Sequence, residues 1–327
     1  MKSFVLFNNK GGVGKTTLTF NICHMMARKG LRTVMLDYDP QCNLSAVALS
    51  EDTLFEIWEK SGDAGDGTTV ARSIDLVRRG KGDVRTPALE AIADDLWLVA
   101  GDLALGRFEQ ALAEAWGQVH QMDNERAIHV TTSLQRLSEL AGNKAKADVV
   151  VLDVGPNLGA LNRAALLAVD AVLMPVAPDL FSLQGLRNIG PTIREWREDW
   201  GRVEERAAGV KSHKFEPRGY IVQQHLARAD RPVTAYDKWA TQIPAVFHEQ
   251  VLDEPKARWP KTREEDPYCI AMLKHFASLV PVAQLARKPI FDLKQADGIG
   301  GGQIQAVAKA RSEFEDLVRK IQVLLGL

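Results

Sequence analysis

Residues 10–17 read Lys-Gly-Gly-Val-Gly-Lys-Thr-Thr and stand between a short apolar run, Ser3 to Phe7, and a helical stretch from Lys15 to Lys29. No other feature narrows the possible folds as far. Glycines at 11, 12 and 14 let backbone N–H groups turn inward and close on phosphate oxygens. The start of the following helix adds its positive end. In that geometry Lys15 reaches the β- and γ-phosphates of a nucleotide, and the Thr16 hydroxyl can ligate Mg²⁺. A glycine turn that merely joined strand to helix would not need Gly14, Lys15 and Thr16 in this register. The segment is therefore read as a nucleotide-phosphate site contributed by Lys10, Gly11, Gly12, Val13, Gly14, Lys15, Thr16 and Thr17.

The apolar runs around the loop set the fold class. Arg32 to Asp37, Asp148 to Asp153 and Ala171 to Val176 repeat the form of the first run, and Gly219 to Val222 and Ser278 to Val280 do so more briefly. Gly30 is placed as a left-handed helix stop. Continuous rather than alternating apolar strands imply a parallel sheet covered on both faces. The expected fold is α/β: a doubly wound, mostly parallel sheet with helices on both faces, of the P-loop NTPase type, with ligands at the carboxyl ends of the strands. A single domain is expected over residues 1–327, with insertions near 58–90, 194–218 and 253–268. Within these, Ser61 to Thr69 is polar and glycine-rich, Arg78 to Arg85 is basic, and Asp253 to Pro267 holds three prolines. Ser182 is placed to cap a helix with the stripe Leu183, Leu186, Ile189, Ile193, Trp196 and Trp200, which Pro191 should kink.

Composition excludes several classes. Hydrophobic residues at 46% and charged ones at 25% rule out wholesale disorder. Lys+Arg at 41 against Asp+Glu at 42 rules out a uniformly basic coat, though not a local basic patch. Cys23, Cys42 and Cys269 lack CxxC spacing, and the seven histidines lack metal-ligand spacing, so neither a disulfide framework nor a zinc site is expected. No run approaches the roughly 20 apolar residues of a membrane span. A soluble chain of the reducing cytoplasm is expected.

The loop departs from the standard GxxxxGK[ST] pattern, since Asn9 takes the place of the first glycine and Lys10 follows it. This second lysine resembles the deviant Walker A motif of the ParA/MinD family of ATPases. Asp37-Tyr38-Asp39-Pro40-Gln41-Cys42-Asn43 resembles the same family's DxDPQxN segment, and Asp153 matches its Walker B aspartate. Met174 to Leu186 and Lys288 to Leu293, with the glycines from Gly298 to Gly302, extend the likeness over most of the chain. The resemblance implies ATP and Mg²⁺ as cofactors and an ATP-dependent homodimer. Lys10 would reach across its interface, and Asp39 would serve hydrolysis. Thr16, Asp37 and Asp153 would attend the metal, Asp37 in support. By the same analogy adenine would lie between the loop near Gln223 and the loop after Pro281. Strand-terminal aspartates equally suit helix N-caps, and Gln223 equally suits a capping or surface amide. After Asp153 the chain reads Val154-Gly155-Pro156-Asn157, without the family's threonine and with a glycine for one proline.

The nearest relatives in that resemblance bind duplex DNA without sequence preference as ATP dimers and are reset by a ParB-like partner. The loop begins within ten residues of the start, so the likeness is to the short, Soj-like branch without an operator-reading domain. Nucleoid association would follow if DNA binding holds. Candidate DNA contacts are Lys256, Arg258, Lys261 and Arg263, with Arg287, Lys288 and Lys294; equally, these are solvated charges paired with Glu254, Glu264, Glu265 and Asp266. The helical period of Phe314, Leu317, Val318, Ile321, Leu324 and Leu325 suits packing on the sheet better than a membrane surface, because acids nearly cancel its bases. Rival readings are a dimeric adaptor ATPase of a secretion or defence system and an ATP-dependent metabolic ligase on the same fold.

Overall fold

The strand β5 (Val149–Asp153) shows why the apolar runs do not alternate: Val149 and Val151 enter one core, while Val150 and Leu152 enter another. The computed structural model describes residues 1–60, 68–121, 124–204, 213–224, 238–262, 264–274, 276 and 278–327. Its other strands are β1 (Lys2–Leu6), β2 (Thr33–Asp37), β3 (Glu90–Ala93), β4 (Leu96–Val99), β6 (Ala171–Val176), β7 (Glu216–Gln224) and β8 (Cys269–Lys274). They form one eight-stranded sheet in the order β3-β4-β2-β5-β1-β6-β7-β8. All pairings are parallel except β3 with β4 at one edge. Both faces are covered, as the doubly wound reading requires.

One face carries α4 (Val70–Arg78), α5 (Phe108–Gln118), α6 (Glu125–Thr131), α7 (Ser133–Ala145), α8 (Ala160–Leu166), α9 (Leu180–Glu204) and the short α10 (Ile243–Val246). The other carries α1 (Lys15–Arg28), α2 (Asn43–Ala48), α3 (Glu51–Lys60), α11 (Val280–Ala286) and α12 (Gly302–Leu325). In α9 the expected stripe from Leu183 to Trp200 is buried. Phe314, Leu317, Val318, Ile321 and Leu325 of α12 pack into the core that α1 shares. Among the described residues no helix is long and apolar enough to cross a membrane.

Four expectations change. Ser278 to Val280 is not a strand; it is the turn into α11, and the edge strand is β8, an apolar run that is only partly buried. The hairpin β3–β4 was not anticipated, because each of its strands is only four residues long. Residues 194–204 are the last turns of α9, so that stretch is helical rather than a loop. Ser182 lies inside α9, and the capping oxygen is Asp179 Oδ1, which accepts the Ser182 N–H at 2.8 Å. Most of the Ser61 to Thr69 loop lies outside the described residues, as does Arg263.

Candidate phosphate-binding and carboxylate site

The loop between β1 and α1 is held from behind. Asn8, fully buried, donates to Pro175 O at 2.7 Å and accepts the Lys10 N–H at 2.9 Å. Gly12 and Gly14 have φ of +72° and +74°, the left-handed region that side chains resist. Gly14 is needed twice, since a Cβ there would stand 2.8 Å from Gln223 Nε2. No side chain caps the start of α1 and no acid sits in its first turn. The helix therefore offers its N–H groups and positive end to an anion.

Lys15 opens α1 with its side chain buried, and its Nζ donates to Lys10 O at 3.2 Å. Burial lowers its pKa, against the opposing pull of Asp153 and Asp39. Asp37 and Asp153 end adjacent strands as register partners, and both are fully buried. Asp153 accepts from Thr16 Oγ1 at 2.8 Å and Thr19 Oγ1 at 3.5 Å. Asp37 accepts from the Ser45 N–H at 2.8 Å and the Ser45 hydroxyl at 2.7 Å. Burial raises both carboxyls; repulsion from Asp37 and Asp39 adds to the rise at Asp153 and repulsion from Asp39 to that at Asp37, while hydrogen bonds from Thr16 and Ser45 oppose it. Asp39 accepts the Gln41 N–H at 3.0 Å and an Asn43 amide contact at 3.4 Å. The segment after Asp153 is pinned by Asn162, whose Nδ2 donates to Gly155 O and Asn157 O, both at 2.8 Å. A Cβ on Gly155 would stand 3.3 Å from Asp39 Oδ1, so the glycine makes room for that carboxylate.

Gln223, at the end of β7, donates to Val13 O at 2.5 Å. With Gly12, Gly14, Thr17, Leu273 and Pro281 it lines an open cavity of about 340 Å³, room for a base beside the phosphate loop. Pro281 contributes from the first turn of α11 rather than from a loop. Lys10 Nζ is bonded within its own chain, to Asp179 Oδ2 at 2.5 Å and Ser182 Oγ at 3.3 Å. Burial alone would raise the Asp179 carboxyl; the hydrogen bonds from Lys10 and Ser182, together with the Lys10 charge, outweigh it and hold the group low. Sequence reasoning missed Asp179, Ser45 and Asn8. Only Asp179 left a signal, the Asp-x-x-Ser spacing of a helix start.

The six basic candidates among the described residues do not converge. Residues 253–262 follow the π-helical turn Phe247–Val251, anchored in the core under α9. Residues 287–294 are anchored through Ile290, Phe291 and Leu293 in the core under α1 and α12, on the opposite face. Arg287 donates to Leu49 O at 2.9 Å, Lys288 pairs with Asp297 at 2.6 Å, and Lys294 is exposed. Lys256, Arg258 and Lys261 are exposed and form no ion pair among the described residues. Glu254 and Asp266 are instead spent on His248, at 2.7 and 3.1 Å.

A glycine loop at the carboxyl end of β1, with buried carboxylates ending the next two strands to one side, β5 and β2, defines a P-loop nucleotide-binding protein of the doubly wound class. A family model described as an AAA domain matches residues 1–203. The chain belongs to the ParA/MinD family of ATPases. It is 31% identical over 256 residues to protein IncC of Escherichia coli, covering 75% of this chain but only 58% of that longer protein. It is 25% identical over 254 residues to the chromosome partitioning protein ParA of Caulobacter vibrioides, covering 77% and 79% of the two chains. In fold it matches a protein of Corynebacterium diphtheriae with a TM-score of 0.72 at 19% identity over 99% of each chain. A putative plasmid partition protein of Borrelia burgdorferi, solved with AMPPNP, matches with a TM-score of 0.59 at 16% identity over 98% of each.

Proposed function

We propose that the chain is a Mg²⁺-dependent ATPase that closes into an ATP-bound homodimer and serves DNA partition or the positioning of another cargo. The observation that carries this reading is the meeting of Lys15, Thr16, Asp37, Asp39 and Asp153 at one rim of the sheet. Three carboxylates face one lysine there, so the polyanionic phosphates of ATP can enter only with a cation. The donor set, a hydroxyl and carboxylates, is hard oxygen and suits Mg²⁺ held partly through water. Among the described residues no group of three or more His, Cys, Asp or Glu could hold a metal alone, which fits an ion shared with phosphates. The ion would draw charge off the β,γ-oxygens when bound.

The chain's own residues do the rest. Lys15 and the N–H groups of the loop hold the phosphates, and Thr16 and Asp153 hold the ion's side of the site. Asp39 orients the attacking water and draws on its proton as the water oxygen bonds to the γ-phosphorus and the bridging oxygen leaves. Gln223 and Pro281 flank the base. Lys10 exchanges Asp179 for the partner copy's nucleotide when the dimer closes. Asp39→Ala should bind ATP and accumulate as a dimer, seen by size exclusion with light scattering; an unchanged monomer with normal turnover would remove this reading. A second reading, an adaptor ATPase that does not bind DNA, is favoured by the split of the basic candidates between two faces.

A further inference from the structure

We propose a second oxyanion site, separate from the phosphate loop, in the cleft between α4 and the 3₁₀ turn Leu103–Arg107, which takes a single phosphate group. Arg72, Asp75, Arg78, Arg79, Arg107 and Phe108 are among the residues lining a cavity of about 50 Å³ there. That is room for a few waters or one tetrahedral oxyanion, and too little for a base or sugar. Four guanidinium groups share the cleft with one carboxylate.

That carboxylate is already committed. Asp75 bonds Arg78 at 2.8 Å through one oxygen and Arg79 at 2.7 Å through the other. The next acid, Asp102, lies 4.0 Å from Arg72 Nε, and its oxygens are taken by the Thr69 hydroxyl and the Ala104 N–H. Among the described residues Arg72 Nε is consequently buried with no hydrogen-bond partner. Arg107 is exposed and forms no ion pair among the described residues. A buried donor without an acceptor is rare in native proteins and calls for a missing partner. Even with Asp102 counted, the cleft keeps an excess of two positive charges, matching a phosphate dianion; guanidinium forks fit its oxygens in pairs. Spacing serves this too, since Arg72, Asp75 and Arg79 share one face of α4. The cleft adjoins the Asp37–Asn43 segment, because a Cβ on Gly106 would lie 3.9 Å from Pro40 Cβ. The phosphate is either free anion, as hydrolysis would release, or a backbone phosphate of duplex DNA.

The test uses the full chain carrying Lys15→Ala, which silences the phosphate loop; its own loss of ATP binding reports on that loop independently. Inorganic phosphate is titrated calorimetrically at low ionic strength, with Arg72→Gln and Arg107→Gln added to that background. Phosphate affinity should fall about tenfold or more in the combined variant. Arg107→Gln alone, at an exposed position, should weaken binding severalfold with an unchanged melting curve, which separates loss of the site from misfolding. No phosphate binding in the Lys15→Ala chain, or affinity unmoved by the arginine substitutions, overturns the proposal. With Lys15 restored and ATP present, loss of duplex retention in Arg72→Gln/Arg107→Gln assigns the phosphate to a DNA backbone. Unchanged retention alongside lost phosphate binding assigns it to the free anion.

Discussion

Gly14 combines a φ of +74° with a Gln223 amide 2.8 Å from where a Cβ would go, whereas Gly11 has neither constraint. Gly14→Ala should therefore cost about 1–2 kcal/mol from the left-handed backbone alone, plus displacement of Gln223. Gly11→Ala should be close to neutral; denaturant unfolding of the two variants side by side checks the difference. At this scale the sequence was most legible where chemistry fixes spacing. Lys15 and Thr16 open α1 directly after the loop's last glycine, and Asp37 and Asp153 end strands, so their placement follows from local geometry. Asp179 and Ser45 escaped notice for the opposite reason. The partner of Asp179 is 169 residues away, and Ser45 matters only because a buried carboxylate needs donors.

Among the elements, α1 carries a titratable group inside its packed face. His24 stacks edge-on against Phe20 at 4.4 Å, and its Nε2 is buried without a partner. Burial pushes its pKa down to about 4, with Asp292 pulling the other way. The unfolded chain takes up this proton near pH 6.5 and the folded chain near 4, so stability rises with pH across that window and is flat above it. His24→Leu should flatten the slope, narrowing the stability difference between pH 7 and 4.5 by roughly 2 kcal/mol. Thermal or urea unfolding at both pH values is the measurement, and an unchanged slope would contradict it. The elements that were read correctly, β1, β2, β5 and β6, are central strands buried on both faces, where the apolar run is continuous. Those misread, β3, β4 and β8, sit at or next to the edges; β3 and β8 are partly exposed, while β4 is a buried apolar run of only four residues. Chain ends of that sheet are where sequence pattern carries least information about pairing.

For the molecule as a whole, the doubly wound class was legible because the strand pattern repeats, but the grouping of distant cations was not, since loops on opposite faces look alike in sequence. If duplex DNA is a ligand, retention should require ATP, ignore sequence, and fall steeply with salt as counterions compete for phosphate. Lys256, Arg258 and Lys261, changed together to Gln, should reduce the salt slope by up to about three units if all three meet phosphates. An unchanged slope clears that loop of the role. Lys10→Ala should bind ATP yet dimerise poorly, whereas Asp179→Asn, by loosening the intrachain pair, should favour the ATP dimer; light scattering with and without ATP reads both. The pair is partly exposed, with 28% of each side chain accessible, so its own strength is modest, about 1 kcal/mol or less. Its consequence lies in supply and demand: a solitary copy already has an anion for Lys10. If the chain pairs as proposed, crowding the cell with more of it would be a weak stimulus to pairing, and the level of ATP would decide how many copies are joined.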